Sequence, residues 1–302
     1  NESLVKGGYT MIKESFGRKA FLCTNNIILF LLAVCTLYPL LYVLFASLSN
    51  PYEYMRHTGL LLRPLTTTLS SYKLVFNNDQ ILTGYINTLV VVGVGTAINM
   101  FFTVLGAYFF SRRRVALQKP LFLVVLFTMY FSGGMIPTYF VVRNLGLLDT
   151  LWALMLPGAI STYNMIILRS GFSTVPVSLE ESAMLDGAGH IRILINVVLP
   201  LSMHIIAVII LYYAVAHWNA WFQASIYIKS RARFPLQLVL REILIENDTS
   251  TMESSISIGD KETIGETIKY AVIVISTVPI LCVYPFLQKY FVKGVIAGAV
   301  KG

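Results

Sequence analysis

Long apolar runs separated by short polar stretches dominate the chain. Ile27 to Ala46 carries no charged side chain, and five further runs follow: Ile86–Phe110, Leu121–Val141, Leu151–Leu168, Leu201–Ala220 and Ala271–Phe291. A helix needs about 20 apolar residues to cross a hydrocarbon layer of roughly 30 Å. Within that layer only helices and closed barrels satisfy their own backbone hydrogen bonds. Barrel strands are about ten residues long and alternate strictly; these runs are longer and do not alternate. The pattern predicts an all-α membrane protein with six transmembrane helices. The first run is longer than the apolar core of a signal peptide, about 7–15 residues, so it is expected to remain as a span.

Composition agrees with that solvent. Of 302 residues, 56% are hydrophobic and 13% charged, and the mean hydropathy is +0.70. A soluble domain carries about a quarter charged residues, so this chain has too few to cover a globule. The aromatic content of 13% argues against disorder. The net charge of +8 comes from basic clusters between apolar runs, which suits anionic headgroups better than nucleic acid. Cys23, Cys35 and Cys282 form no CxxC pair and are expected as small buried hydrophobes. The four histidines are scattered and no acidic cluster lies in a span, so no metal site is expected.

Basic residues in short loops set orientation. Arg112, Arg113, Arg114 and Lys119 follow the second run with no acid among them, so that connection is expected in the cytoplasm. Six spans then place both termini inside, in agreement with Lys289, Lys293 and Lys301 in the tail. Lys229, Arg231 and Arg233 fall on the outside in this topology, within a long segment where the rule is weak. Residues 1–302 are read as one membrane domain. Two outer segments stand out, about Asn50–Tyr85 and Lys229–Glu266, the second with seven acids and five bases.

The connection Arg169–Leu199 is long for a link between helices. Ser178 with Glu181 three residues on has the form of a capping box, and Glu180 and Glu181 suit the positive end of a helix dipole. Gly187 fits the position just past a helix C-terminus, where the backbone turns left-handed. The expected form is a short helix, a glycine turn, and a second helix reaching Val198 and Pro200. Ser182, Ala183, Ala188 and Gly189 are small and would let another protein approach closely.

Glu181-Ser182-Ala183, then Gly187, Val197 and Leu199-Pro200 at their spacing resemble the Glu-Ala-Ala motif of ABC-importer permeases, with Ser182 for Ala and Val197 for Ile as mild departures. Asn87-Thr88-Leu89, Ala107-Tyr108 with Ser111-Arg112, and Trp218-Asn219-Ala220-Trp221-Phe222 resemble the maltose-type carbohydrate-uptake branch. The tail from Tyr290 to Gly302 is similar to the lipoprotein-associated and alginate-type oligosaccharide permeases. The resemblance implies a coupling segment over residues 176–200, with Glu180, Glu181, Ser182, Ala183, Asp186, Gly187 and Ala188 at the ATPase-facing surface. It implies two cytoplasmic ATPase subunits, a second and non-identical permease, an extracytoplasmic solute-binding protein, and a place in the bacterial cytoplasmic membrane. Motion would be alternating access driven from the cytoplasm. No G-x-x-x-x-G-K-[ST] loop occurs in the chain, so ATP and magnesium are expected on the partners, with no cofactor and no catalytic residue here.

Polar groups inside spans are costly and often line a path. Ser161, Tyr163 and Asn164 follow the Pro157-Gly158 break, and Tyr213, His217 and Asn219 lie toward the end of the fifth run. Hydroxyl, amide, imidazole and aromatic groups together suit a sugar, so these six are the candidate substrate pathway. Packing between helices is the competing role, and Trp218 and Trp221 also fit an interfacial belt. Gly133-Gly134 and Pro137 predict a kink in the third span. The Ser, Thr and Gly content of 250–259 suits a mobile tip. Other classes remain open: an importer of another small polar solute, a carrier driven by an ion gradient, or a membrane scaffold.

Overall fold

The computed structural model describes residues 16–112, 117–245, 265–282 and 285. No strand occurs among them. Among the described residues, three helices are long and apolar enough to cross a membrane: α1 (Phe16–Ser47), α2 (Asp79–Ser111) and α10 (Gly265–Cys282). Two bent pairs also qualify: α3 (Gln118–Tyr130) with α4 (Met135–Asn144), and α7 (His190–Leu201) with α8 (Met203–Trp218). The remaining named helices are α5 (Thr162–Phe172), α6 (Val177–Leu185) and α9 (Leu236–Ile245).

The bends have local causes. The third run breaks at Gly133-Gly134 and turns through 109°, with Gly134 at φ +87°, a value that favours glycine. The fourth run is not one helix: Trp152–Met155 ends before Pro157-Gly158, and α5 starts afresh at Thr162. Ser161 caps α5, its Oγ accepting the Asn164 N–H at 3.3 Å. Within α7, residues Leu194–Val198 form a π-turn, and the Leu199 N–H reaches back to the Leu194 carbonyl. Pro200 lacks the N–H for a regular helical bond, and a π-turn before it is a common accommodation. The chain then bends by 87° into α8.

Helix α2 is the axis of the fold. Its buried positions are Ile81, Gly84, Thr88, Val91, Gly95, Thr96, Asn99, Thr103, Ala107 and Phe110, a helical face rich in small residues. Such faces let membrane helices approach closely. A Cβ on Gly95 would lie 2.7 Å from His217 Nε2, and one on Gly84 would lie 3.2 Å from the Leu236 Cα. Two apolar cores flank a polar layer on this helix. One gathers Ile81 and Val91 with Trp218, Leu236, Val239 and Val272. The other gathers Ala107 and Phe110 with Leu168, Phe172, Ile193 and Ile209.

Several expectations change. Cys23, Cys35 and Cys282 are exposed, not buried, because α1 runs outside the bundle with its apolar window uncovered and Cys282 sits at the end of α10. Trp218 is buried against Tyr85, with ring centroids 6.1 Å apart, so it belongs to the core and not to an interfacial belt. The segment after Lys229 contains a helix beyond those expected from the sequence pattern. Its first half folds back as α9, with Leu236, Leu238, Val239, Leu240 and Ile243 buried. Arg113, Arg114, the tip 246–264, most of the sixth run past Cys282, and the tail lie outside the described residues.

Candidate functional site

Residues 176–200 have the expected outline with a different start. Helix α6 begins at Val177 with Pro176 in the capping position, and no side chain caps it. Ser178 therefore sits inside the first turn, and the expected capping box is not formed. Proline fixes its own φ near the extended entry angle, which places the helix start one residue earlier than Ser178 would. The other end follows the expectation. Gly187 has φ +79°, its N–H donates to the Met184 carbonyl at 3.0 Å, and the Ala188 N–H donates to the Ala183 carbonyl at 2.9 Å. These two bonds are the Schellman arrangement that closes a helix.

The glycine turn leaves apolar side chains outward. Leu185 is 89% exposed, and Met184 and Ile191 are also uncovered. Glu181, Ser182, Asp186 and Gly187 are exposed, and Ala183 and Ala188 are half-buried. Glu180 points the other way. It is 4% exposed, and its carboxylate forms an ion pair with the Arg112 guanidinium at the end of α2. Nothing in the local sequence pattern flagged that pair; the two residues are joined only by the fold.

The six pathway candidates separate into two groups. Tyr213 Oη pairs with Thr103 Oγ1 at 2.8 Å and accepts the Ser161 N–H at 2.9 Å. His217 Nε2 lies 2.6 Å from Asn99 Oδ1, and Asn99 Nδ2 donates to the Gly158 carbonyl at 2.6 Å. Asn99 thus answers a carbonyl freed by the Pro157-Gly158 break and holds His217 at the same time. Tyr213, His217 and Asn164 are all buried. Tyr163 is exposed, and so is Asn219, whose Nδ2 donates to the Val215 carbonyl at 2.9 Å. Asn99 was missed from sequence; its signal is an amide near the middle of an apolar run.

At the α9 end of the bundle, a cavity of about 510 Å³ opens between Asn219, Trp221, Gln237, Arg241 and Thr277. The Arg241 guanidinium lies over the Trp221 ring, 5.0 Å from its centroid, a cation–π geometry. Helix α9, which supplies Gln237 and Arg241, was also missed. Its signal was present: Leu236, Val239, Leu240 and Ile243 follow helical spacing. Two of the three basic residues that opposed the orientation rule are paired. Arg233 Nη1 meets Asp149 Oδ2 at 2.8 Å, and Arg231 lies 3.7 Å from Glu242.

The chain belongs to the binding-protein-dependent transport system inner membrane component family, which it matches over residues 79–297. It is 44% identical over 269 residues to the polygalacturonan/rhamnogalacturonan transport system permease protein YtcP of Bacillus subtilis, covering 89% of this chain and 93% of that one. It is 43% identical to the protein LplC of the same organism, over 97% of this chain and 99% of the relative. Its fold resembles a chain in the crystal structure of a bacterial ABC transporter involved in the import of the acidic polysaccharide alginate. That likeness has a TM-score of 0.85 and 30% identity, and covers 92% of this chain and 99% of the other. The chain is therefore a transporter permease component and a membrane protein.

Proposed function

We propose that this chain is the permease subunit of an ATP-driven importer that moves an oligosaccharide with acidic units across the bacterial cytoplasmic membrane by alternating access. The observation that carries the reading is the coupling segment. A short helix closed by the Gly187 turn sits between membrane helices with Met184, Leu185 and Ile191 uncovered. Uncovered apolar side chains on a rigid element fit a docked protein surface. Two ATPase subunits, one on each permease, would grip that surface at Glu181, Ser182, Ala183, Asp186, Gly187 and Ala188. They would supply the ATP and magnesium chemistry, for which this chain has no phosphate loop.

Six crossings with both termini inside is the topology that suits this role, with the broken fourth run completing the count. A second, non-identical permease would close the translocation path, and a solute-binding protein would deliver sugar at the outer face. The acidic class is supported by two observations. Two of the similar proteins are named for polygalacturonan and alginate, which carry carboxylates. The outer cavity presents Arg241 held on Trp221, and a guanidinium matches a carboxylate bidentately. Tyr163 and Asn219 are exposed and remain the pathway candidates for sugar hydroxyls.

The test is uptake by the assembled complex in proteoliposomes, with short oligogalacturonides as the probe sugar. Uptake should require ATP and binding protein. The Gly187→Val variant should hydrolyse ATP without moving sugar, because a branched residue at φ +79° costs on the order of 1–2 kcal/mol and reshapes the turn. Uptake that survives ATP depletion and collapses with the ion gradient would replace this reading with a secondary carrier.

A further inference from the structure

Glu180 and Glu181 are neighbours in sequence and face opposite ways. Glu181 is exposed toward the side where a partner would dock, whereas the Glu180 side chain is 6% exposed and the paired Arg112 side chain 16% exposed. A buried ion pair is costly to separate, because each charge would be left without water or partner. Further hydrogen bonds gather round it. Arg112 Nη2 donates to the Phe172 carbonyl at 3.4 Å, Arg169 Nε to the Phe110 carbonyl at 2.8 Å, and Gln118 Nε2 to the Phe110 carbonyl at 2.6 Å. The end of α2 is thus held by α3, α5 and α6 together.

The far end of α2 is tied just as closely. The Leu236 N–H donates to Thr88 Oγ1 at 2.8 Å, and Asn87 Nδ2 donates to the Ala232 and Phe234 carbonyls at 3.0 and 3.1 Å. Gly84 lets the backbone at Leu236 approach directly. Both attachments lie on one uninterrupted helix of 33 residues, about 50 Å long at a rise of about 1.5 Å per residue.

We propose that the Arg112–Glu180 pair fixes the coupling helix to α2 as one rigid body, so that a push on α6 is carried along α2 to the outer segment 231–245. Arg112 and Glu180 are then positioning residues for transport, distinct from the exposed surface that grips the ATPase. This rests on the permease reading above. A pair that only stabilised the fold would behave differently when both charges are removed together. The double variant R112M/E180M orphans no charge, so the chain should fold and assemble, but the tie is gone.

The experiment uses the complete complex with its ATPases and second permease, reconstituted with binding protein. Spin labels are placed by V177C on α6 and F109C on α2, with Cys23, Cys35 and Cys282 replaced by serine. Without the double substitution, the label distance should be the same in the nucleotide-free and the ATP–vanadate-trapped complex. In R112M/E180M it should shift or broaden on trapping. The number of oligogalacturonide molecules moved per ATP should fall about fivefold or more, the usual scale of a coupling free energy, at unchanged assembly. A label distance that changes on trapping with Arg112 and Glu180 intact would overturn the rigid body. So would a double variant with unchanged distance and an unchanged sugar-to-ATP ratio. If the native complex moves no oligogalacturonide with ATP, the functional reading fails, and the label distances still decide the tie.

Discussion

Midway along α2, polar side chains are spent on one another; at the turn after α6, apolar side chains are spent on nothing in this chain. Asn99, Thr103, Tyr213 and His217 are each below 10% exposed and hydrogen-bonded within the bundle. Leu185, a few residues from the ion pair, is almost fully exposed. Polar residues in a membrane span look functional on sequence alone, and a leucine beside a glycine turn looks like core. The fold reverses both impressions. In lipid a buried polar group must find a partner or cost free energy, so its presence first explains helix packing. A large apolar side chain left open at a tight glycine turn has no such explanation within the chain, and a covering partner is the reading that Leu185 tests.

The sharpest way to break that contrast is at Asn99. Asn99→Ala removes the acceptor for His217 and the donor for the Gly158 carbonyl. Each orphaned buried group costs roughly 1–3 kcal/mol in soluble proteins, but hydrogen bonds between membrane helices average only about 0.6 kcal/mol. A loss of about 2 kcal/mol in a lipid nanodisc unfolding measurement is expected, with the α5 and α8 contacts loosened. An unchanged unfolding midpoint would mean that the polar layer does not hold the helices, and His217 would return to the substrate path on equal terms.

The opposite arm concerns Leu185. Leu185→Asp should leave the unfolding midpoint of the chain where it is, because the side chain contributes almost no buried area. It should weaken association with the ATPase subunit by tenfold or more, about 1.5–2 kcal/mol, the scale of an interfacial anchor. Binding measured on the purified components decides it. Undiminished association would mean that Leu185 faces lipid or solvent in the complex, and the partner surface would have to be sought elsewhere.

How much of this was legible depends on how local the cause is. The kink at Gly133-Gly134, the break at Pro157-Gly158 and the turn at Gly187 all arise within a few residues, and each stands where the pattern puts it. The capping box failed because Pro176 competes for the same position with a stiffer local rule. Helix α9 was hidden by the charged pair Arg241-Glu242 in its middle, although its buried positions keep helical spacing. The Arg112–Glu180 pair had no sequence signature, and the Asn99 amide within its apolar run gave no hint of its partners, because these come from distant runs and meet only when α2 is enclosed. The cysteines were misjudged for a related reason: in a membrane protein an apolar environment does not imply burial inside the chain.

A gentler probe compares the buried ion pair on Glu180 with the exposed one on Asp149. Asp149 adopts a left-handed backbone at φ +57°, which Asp and Asn tolerate better than most residues. Its Oδ1 accepts the Ser230 N–H at 2.8 Å and the Lys229 N–H at 3.0 Å, and Arg233 pairs with its Oδ2. The Ser230 N–H first, then that of Lys229, with Arg233 adding to both, hold the carboxyl below the usual carboxylate range. Its folded value is therefore lower than its unfolded one. The stabilisation is fully present above the ordinary carboxylate pKa of about 4 and is lost as pH falls through the lowered folded value. Water and salt screen an exposed pair, so the effect should be the smallest of the three. D149N keeps the backbone preference and one acceptor oxygen but removes the charge. Its unfolding midpoint should sit slightly below that of the parent at neutral pH, with the gap narrowing in high salt and closing below about pH 4. A gap that persisted in acid would assign the outer link to hydrogen-bond geometry alone, and the contrast with Glu180 would then be one of burial without any difference in charge.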